Sequence, residues 1–207
     1  MLTVTSMSVM NFENAIRGAR NPMNSWSKSD SYYENGNYIL GENDLTLAVK
    51  LCNAGRDHRK FLRQIFVSVD INAPIYWWKE FDTYKVDTVS NSTSTMHKIH
   101  SQKFSIEQFS CDKMSLKSKE KMNELVEYLE ELREFYNETK EKQVWMDIIQ
   151  LLPSSYNQLR TCSLNYEVLA NIYHSRKNHK LDEWHVFCDY IKTLPYANEL
   201  IIADAHQ

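Results

Sequence analysis

Glycine is scarce in this chain: 207 residues contain only four glycines and four prolines. A loop that cradles phosphates with backbone N–H groups needs several glycines within a few positions, because only glycine enters left-handed turns freely and lets the backbone approach closely. Neither G-x-G-x-x-G nor G-x-x-x-x-G-K-[S/T] occurs, so the glycine-rich dinucleotide-binding and P-loop architectures are excluded. The G-x-S-x-G nucleophile elbow and the H-E-x-x-H zinc helix are missing as well. An anionic ligand must therefore be held without a glycine-rich loop.

The remaining composition is that of a globular protein, with 43% hydrophobic and 25% charged residues. One domain over residues 1–207 is expected, with a long polar loop at 21–43. A net charge of −3 provides no basic excess to displace counterions, so a nucleic acid partner is not expected. Cys52, Cys111, Cys162 and Cys188 are widely spaced without a C-x-x-C pair, which predicts free thiols and no structural metal. Residues Met1–Asn11 lack the charged and apolar regions of a signal peptide, so a reducing, cytoplasmic setting is expected. No apolar run approaches the roughly 20 residues that span a bilayer, and no membrane partner is expected.

Periodicity outlines the elements. Asp44 to Cys52, ending at Gly55, reads as a capped amphipathic helix. Phe61 to Ile71 alternates at Ile65, Val67 and Val69 and suits a strand. Pro74 can open a short helix over Ile75 to Tyr84, rich in aromatics at Trp77, Trp78, Phe81 and Tyr84. The Thr-, Ser- and Asn-rich stretch Val86 to Ser94 reads as a loop. Leu125, Tyr128, Leu129, Leu132, Phe135 and Tyr136 mark a long helix over 119–139. Val144 to Leu152 continues helically until Pro153, Tyr156 to Ser163 can form a strand, and Asn165 to Arg176 and Leu181 to Leu194 close the chain as helices. The predicted class is α+β, a central sheet flanked by helices.

Four local patterns within this order carry a resemblance: Gly55-Arg56-Asp57-His58, the aromatic run Ile75 to Lys85, Leu151-Leu152-Pro153, and Asn165-Tyr-Glu-Val-Leu169 reaching Arg176. Together, over about Asp44 to Leu194, the chain resembles the flavin-dependent thymidylate synthases. The resemblance implies their fold, a homotetramer with sites shared between subunits, a pyrimidine nucleotide ligand, and FAD as cofactor. It also implies one-carbon transfer to C5 of deoxyuridylate through reduced flavin. Residue by residue, it places His58, Lys85 and Asn165 at flavin-binding positions. It places Lys85, Thr93, Ser94 and Arg176 at the nucleotide, and the hydroxyl- and amide-rich loop around them, with Ser90 and Asn91, together with Arg160 on the expected last strand, is expected to supply further donors to it. High Asn, Lys, Tyr and Ile usage fits an AT-rich bacterium or phage.

The family motif of Arg-His-Arg, seven residues, then Ser-x-Arg keeps its spacing as Thr83-Tyr84-Lys85, seven residues, then Thr93-Ser94-Thr95, but loses three arginines and a histidine. Glu167 likewise stands where a further arginine is usual. A hydrogen bond to a charged group contributes roughly 1.5–3 kcal/mol, so two lost cationic contacts amount to about 3–6 kcal/mol. Arg160 and Arg20 are the leading substitutes, ahead of Lys60. Two functions stay open: one-carbon transfer to a pyrimidine nucleotide with altered cofactor handling, and a non-catalytic protein that sequesters or senses a nucleotide-derived ligand.

Overall fold

The computed structural model describes residues 1–203. Strands β1 (Thr3–Met10), β4 (Phe66–Pro74), β5 (Val89–Ser92) and β6 (Asn157–Asn165) form one sheet in the order β1-β4-β6-β5. Val67, Val69, Ile71 and Ala73 of β4 are buried and alternate with half-exposed neighbours, the period-two pattern of a pleated strand. The strand expected from Phe61 begins later, at Phe66. Arg59–Gln64 is instead a 3₁₀ helix, with Arg59, Phe61 and Leu62 buried; the regular alternation that marks the strand starts only at Val67. The loop expected over Val86 to Ser94 contains the short edge strand β5, all of whose residues are exposed.

Two compact units divide the chain. The first comprises Met1–Val4, Asp70–Thr83 and Ser90–Thr161. It contains helices α3 (Ile75–Phe81), α4 (Leu116–Thr139) and α5 (Lys142–Leu151). Ile99, Phe104 and Phe109 pack with Met122, Val126 and Leu129 of α4 and Ile148 of α5 in one apolar cluster. The Ser115 hydroxyl caps α4 by accepting from the Ser118 N–H. Lys140, in the left-handed region at φ 56°, ends it. Trp77, Trp78 and Phe81 of α3 are buried against one another, with ring centroids 4.9–5.1 Å apart, so these aromatics are core.

The second unit comprises Thr5–Val69, Tyr84–Val89 and the chain from Cys162 onward. Its helices are α1 (Phe12–Arg20), α2 (Glu42–Asn53), α6 (Tyr166–Arg176) and α7 (Asp182–Lys192), with a π-helical turn at Asn198–Ile202. Tyr166, Val168, Leu169, Ala170, Ile172 and Tyr173 of α6 are all buried, while Asn171 and Ser175, one turn apart, form its exposed stripe.

Residues 21–43 are more regular than a loop. They hold two 3₁₀ turns and a hairpin of β2 (Tyr32–Glu34) and β3 (Asn37–Ile39), paired Tyr32 to Ile39, Tyr33 to Tyr38 and Glu34 to Asn37. Asn35 and Gly36 both have positive φ, 49° and 80°, the backbone of a type I′ turn. The Asp44 carboxylate, fully buried, gathers the segment before it. It accepts from Arg20 Nε (2.6 Å), the Ser29 hydroxyl (2.7 Å), and the Ser31 hydroxyl (2.6 Å) and N–H (3.1 Å).

Among the described residues no helix is long and apolar enough to cross a membrane, no cluster of His, Cys, Asp and Glu is placed to hold a metal, and all four cysteines are free thiols.

Candidate functional site

Residues two apart on a strand project to the same face, and β6 uses this to set Gln158 beside Arg160. Arg160 Nε donates to Gln158 Oε1 at 3.0 Å, and its Nη1 donates to Asp82 Oδ1 at 2.8 Å. The guanidinium carbon lies 4.2 Å from the centroid of the Trp78 ring, within the range of a cation–π contact. Trp78 Nε1 donates to the backbone carbonyl of Gln158 at 3.0 Å, and Gln158 Nε2 donates to the carbonyl of Thr93 at 2.7 Å. Thr93 in turn donates its N–H to Leu159 O at 2.9 Å. One glutamine thus ties the end of the hydroxyl-rich stretch to the arginine of the neighbouring strand. The Arg160 side chain is 15% exposed and that of Asp82 is 44% exposed, so the pair is reachable from solvent on the carboxylate side.

The structure therefore joins Thr93 and Arg160 through Gln158. Ser94 accepts from the His97 N–H at 2.9 Å, while Ser90 and Asn91 are exposed on β5. In the second unit, Arg176 at the end of α6 donates through Nε to the Tyr84 hydroxyl at 2.9 Å, and its guanidinium lies 4.8 Å from the Trp184 ring. Lys85, next to Tyr84, is exposed, as is His58. Asn165 is fully buried and serves as the N-cap of α6, its Oδ1 accepting from the Val168 N–H at 2.9 Å. Its Nδ2 is buried without a hydrogen-bond partner.

Two further guanidiniums, those of Arg59 and Arg20, are each paired with a buried carboxylate. Arg59, beside His58, is buried and meets Glu167 with Nε–Oε2 at 2.9 Å and Nη2–Oε1 at 3.1 Å. The acidic residue that replaces a family arginine is thus the counter-ion of this buried guanidinium. Arg20 spends its donors on Asp44 and on the carbonyls of Ser25 and Lys28. Burial pushes the Cys52 thiol up to about 12 and the Cys188 thiol to about 11, so both remain protonated and unreactive at neutral pH.

Asp82 and Gln158 were not anticipated from the sequence. Gln158 had a signal, its two-residue spacing from Arg160 on a predicted strand; Asp82, 78 positions from Arg160, had none.

A dinucleotide flavin would require cationic groups for its phosphates. Much of that cradle is taken up within the chain: Tyr84 is hydrogen-bonded to Arg176, Glu167 is paired with Arg59 and Asn165 is enclosed, which leaves His58 and Lys85 as the exposed groups at the resembled flavin positions.

No protein-family model and no curated protein matches the chain. Solved structures do match, and they define its class: the fold is that of the flavin-dependent thymidylate synthases. Thymidylate synthase X from Helicobacter pylori, solved with FAD and dUMP, superposes with a TM-score of 0.70 at 18% identity over 99% of both chains. A second structure of that enzyme with the same ligands gives 0.69 at 19% over 99% of both. A UMP/dUMP methylase, PolB, from Streptomyces cacaoi, bound with 5-Br dUMP, gives 0.64 at 13% over 98% of this chain and 95% of its own. The α+β fold expected from the residue patterns, and its family likeness, hold over nearly the whole chain.

Proposed function

We propose that the protein binds a pyrimidine nucleotide, or a ligand derived from one, on the face formed by Asp82, Thr93 and Arg160, which the buried Trp78 and Gln158 support from beneath. The observation that carries this reading is the likeness over nearly full length to two different proteins that hold uracil nucleotides, thymidylate synthase X and the methylase. The cluster supplies chemistry suited to such a ligand: a guanidinium stacked on an indole, a solvent-reachable carboxylate, and exposed hydroxyl and amide groups on β5. Neutral hydrogen bonds from such groups contribute roughly 0.5–1.5 kcal/mol each.

Calorimetric titration tests this with uracil and cytosine nucleosides and nucleotides, purine counterparts, and FAD. Pyrimidine ligands are expected to bind in preference to purines, and Arg160→Ala to weaken them by about tenfold or more. Binding of purines alone, or of nothing, refutes the reading.

A second reading, methyl transfer to the bound pyrimidine, is favoured by the similarity to the UMP/dUMP methylase. Its test is release of tritium from C5-labelled deoxyuridine monophosphate in the presence of reduced flavin and a one-carbon donor. Release that persists after the protein is removed by filtration excludes this chain as its source.

A further inference from the structure

Resting on the reading just given, we infer that the Trp78–Asp82–Arg160 cluster takes the uncharged pyrimidine nucleoside in preference to its monophosphate. A phosphate dianion is recognised by guanidinium donors whose charge is still available, through short charge-assisted hydrogen bonds. Arg160 does not present itself in that state. Asp82 Oδ1 lies 2.8 Å from its Nη1, Gln158 Oε1 lies 3.0 Å from its Nε, and its guanidinium carbon lies 4.2 Å from the centroid of the Trp78 ring. A phosphate arriving at this guanidinium meets the Asp82 carboxylate at a similar distance, and like charges at such range oppose one another. Moving Asp82 aside leaves it close by, because it sits at the end of α3, whose Trp78, Trp77 and Phe81 are fixed in the core.

The surrounding charge agrees. On α3 and its C-terminal end, Lys79 stands against Glu80 and Asp82, so the segment that carries Asp82 has no cationic excess. The buried guanidiniums, Arg59 and Arg20, are matched by Glu167 and Asp44 at 2.9 and 2.6 Å.

An exposed carboxylate held by an arginine suits a sugar instead. Acidic side chains accept hydrogen bonds from ribose hydroxyls, and this is how dinucleotide folds recognise the sugar. Asp82, 44% exposed and held at one oxygen by Arg160, can accept from a ribose hydroxyl. The exposed Asn91 amide and the Ser90 and Thr93 hydroxyls offer neutral partners for a base edge or sugar.

The test is calorimetric titration of the full chain with uridine, deoxyuridine, their 5′-monophosphates and inorganic phosphate, in wild type and in Asp82→Asn. In wild type the nucleosides are expected to bind at least as tightly as the monophosphates, with no binding of inorganic phosphate alone. Asp82→Asn is expected to shift the nucleoside-to-monophosphate ratio by about tenfold or more toward the monophosphate, by removing both the sugar acceptor and the competing charge. A wild-type monophosphate preference of about tenfold or more overturns the inference while leaving pyrimidine recognition standing. An unchanged ratio in a folded Asp82→Asn protein, verified by circular dichroism, also overturns it. Failure of every pyrimidine ligand to bind overturns both. The wild-type comparison alone decides the matter should the variant not fold.

Discussion

Two of this protein's ion pairs lie in its interior. Arg20 and Arg59 are buried, and each reaches a carboxylate that is itself buried, Asp44 and Glu167. Removing one partner of such a pair leaves an uncompensated charge in the interior, which costs about 3–5 kcal/mol. Asp44→Asn is therefore expected to lose about that much stability in urea unfolding at neutral pH. The same residue gives the protein an acid limit. Burial acts to raise the Asp44 pKa, but the hydroxyls of Ser31 and Ser29 and the Arg20 guanidinium outweigh it and hold the carboxyl below its ordinary value. A carboxyl depressed in the folded state and titrating near 3.9 when unfolded contributes fully above about pH 5 and loses its contribution as pH falls toward the folded value. The wild-type urea midpoint is expected to fall between pH 5 and pH 3 more steeply than that of Asp44→Asn. An equal slope in the two proteins counts against this assignment. Arg160 could be singled out from its place on a predicted strand, whereas its partner could not: nothing in a linear sequence links Asp82 to a residue 78 positions on.

Among the secondary elements, those whose stability comes from one apolar face were legible. α4 shows the long helical spacing of Leu125, Leu129 and Leu132, and α5, α6 and α7 follow the same rule within a few residues of their expected ends. The elements that periodicity did not show are the exposed ones. β1 alternates little, and β2 and β3 are three residues each, too short for a pattern to accumulate; only the Asn35-Gly36 pair marked that hairpin. What fixes this segment is close packing around Asp30. Its carboxylate accepts from the N–H groups of Asn43 and Asp44 at 2.8 and 3.1 Å, and a Cβ on Gly41 would collide with the Asp30 side chain and carbonyl oxygen. Gly41→Ala is expected to destabilise by about 1–3 kcal/mol through overpacking. A midpoint unchanged from wild type would refute that contact. At the start of α6, Asn165→Ala removes the cap on Val168 N–H and is expected to cost about 1–2 kcal/mol in the same assay. That loss occurs with no ligand present, which separates a structural role from the flavin contact that resemblance assigns to Asn165.

For the molecule as a whole, the sheet order β1-β4-β6-β5 leaves β1 and β5 at the edges. An edge strand presents unpaired N–H and C=O groups, and proteins that remain monomers usually blunt such edges with charge, proline or a bulge. β5 is only four residues long, which limits it as a template. β1 has eight residues, TVTSMSVM, with no charge and no proline, and it exposes Met7 and Met10 at 45% and 47%. A long, neutral, apolar-tipped edge of this kind is expected to be covered by another copy of the chain, in keeping with the tetramer that the family resemblance implies. Light scattering at micromolar concentration is expected to show a homo-oligomer. Met7→Lys places a solvated charge in the middle of the edge and is expected to shift the population toward smaller species without lowering the urea midpoint of the isolated subunit. A wild-type protein that scatters as a monomer removes the shared-subunit arrangement altogether. An oligomer unaffected by Met7→Lys moves the interface away from β1.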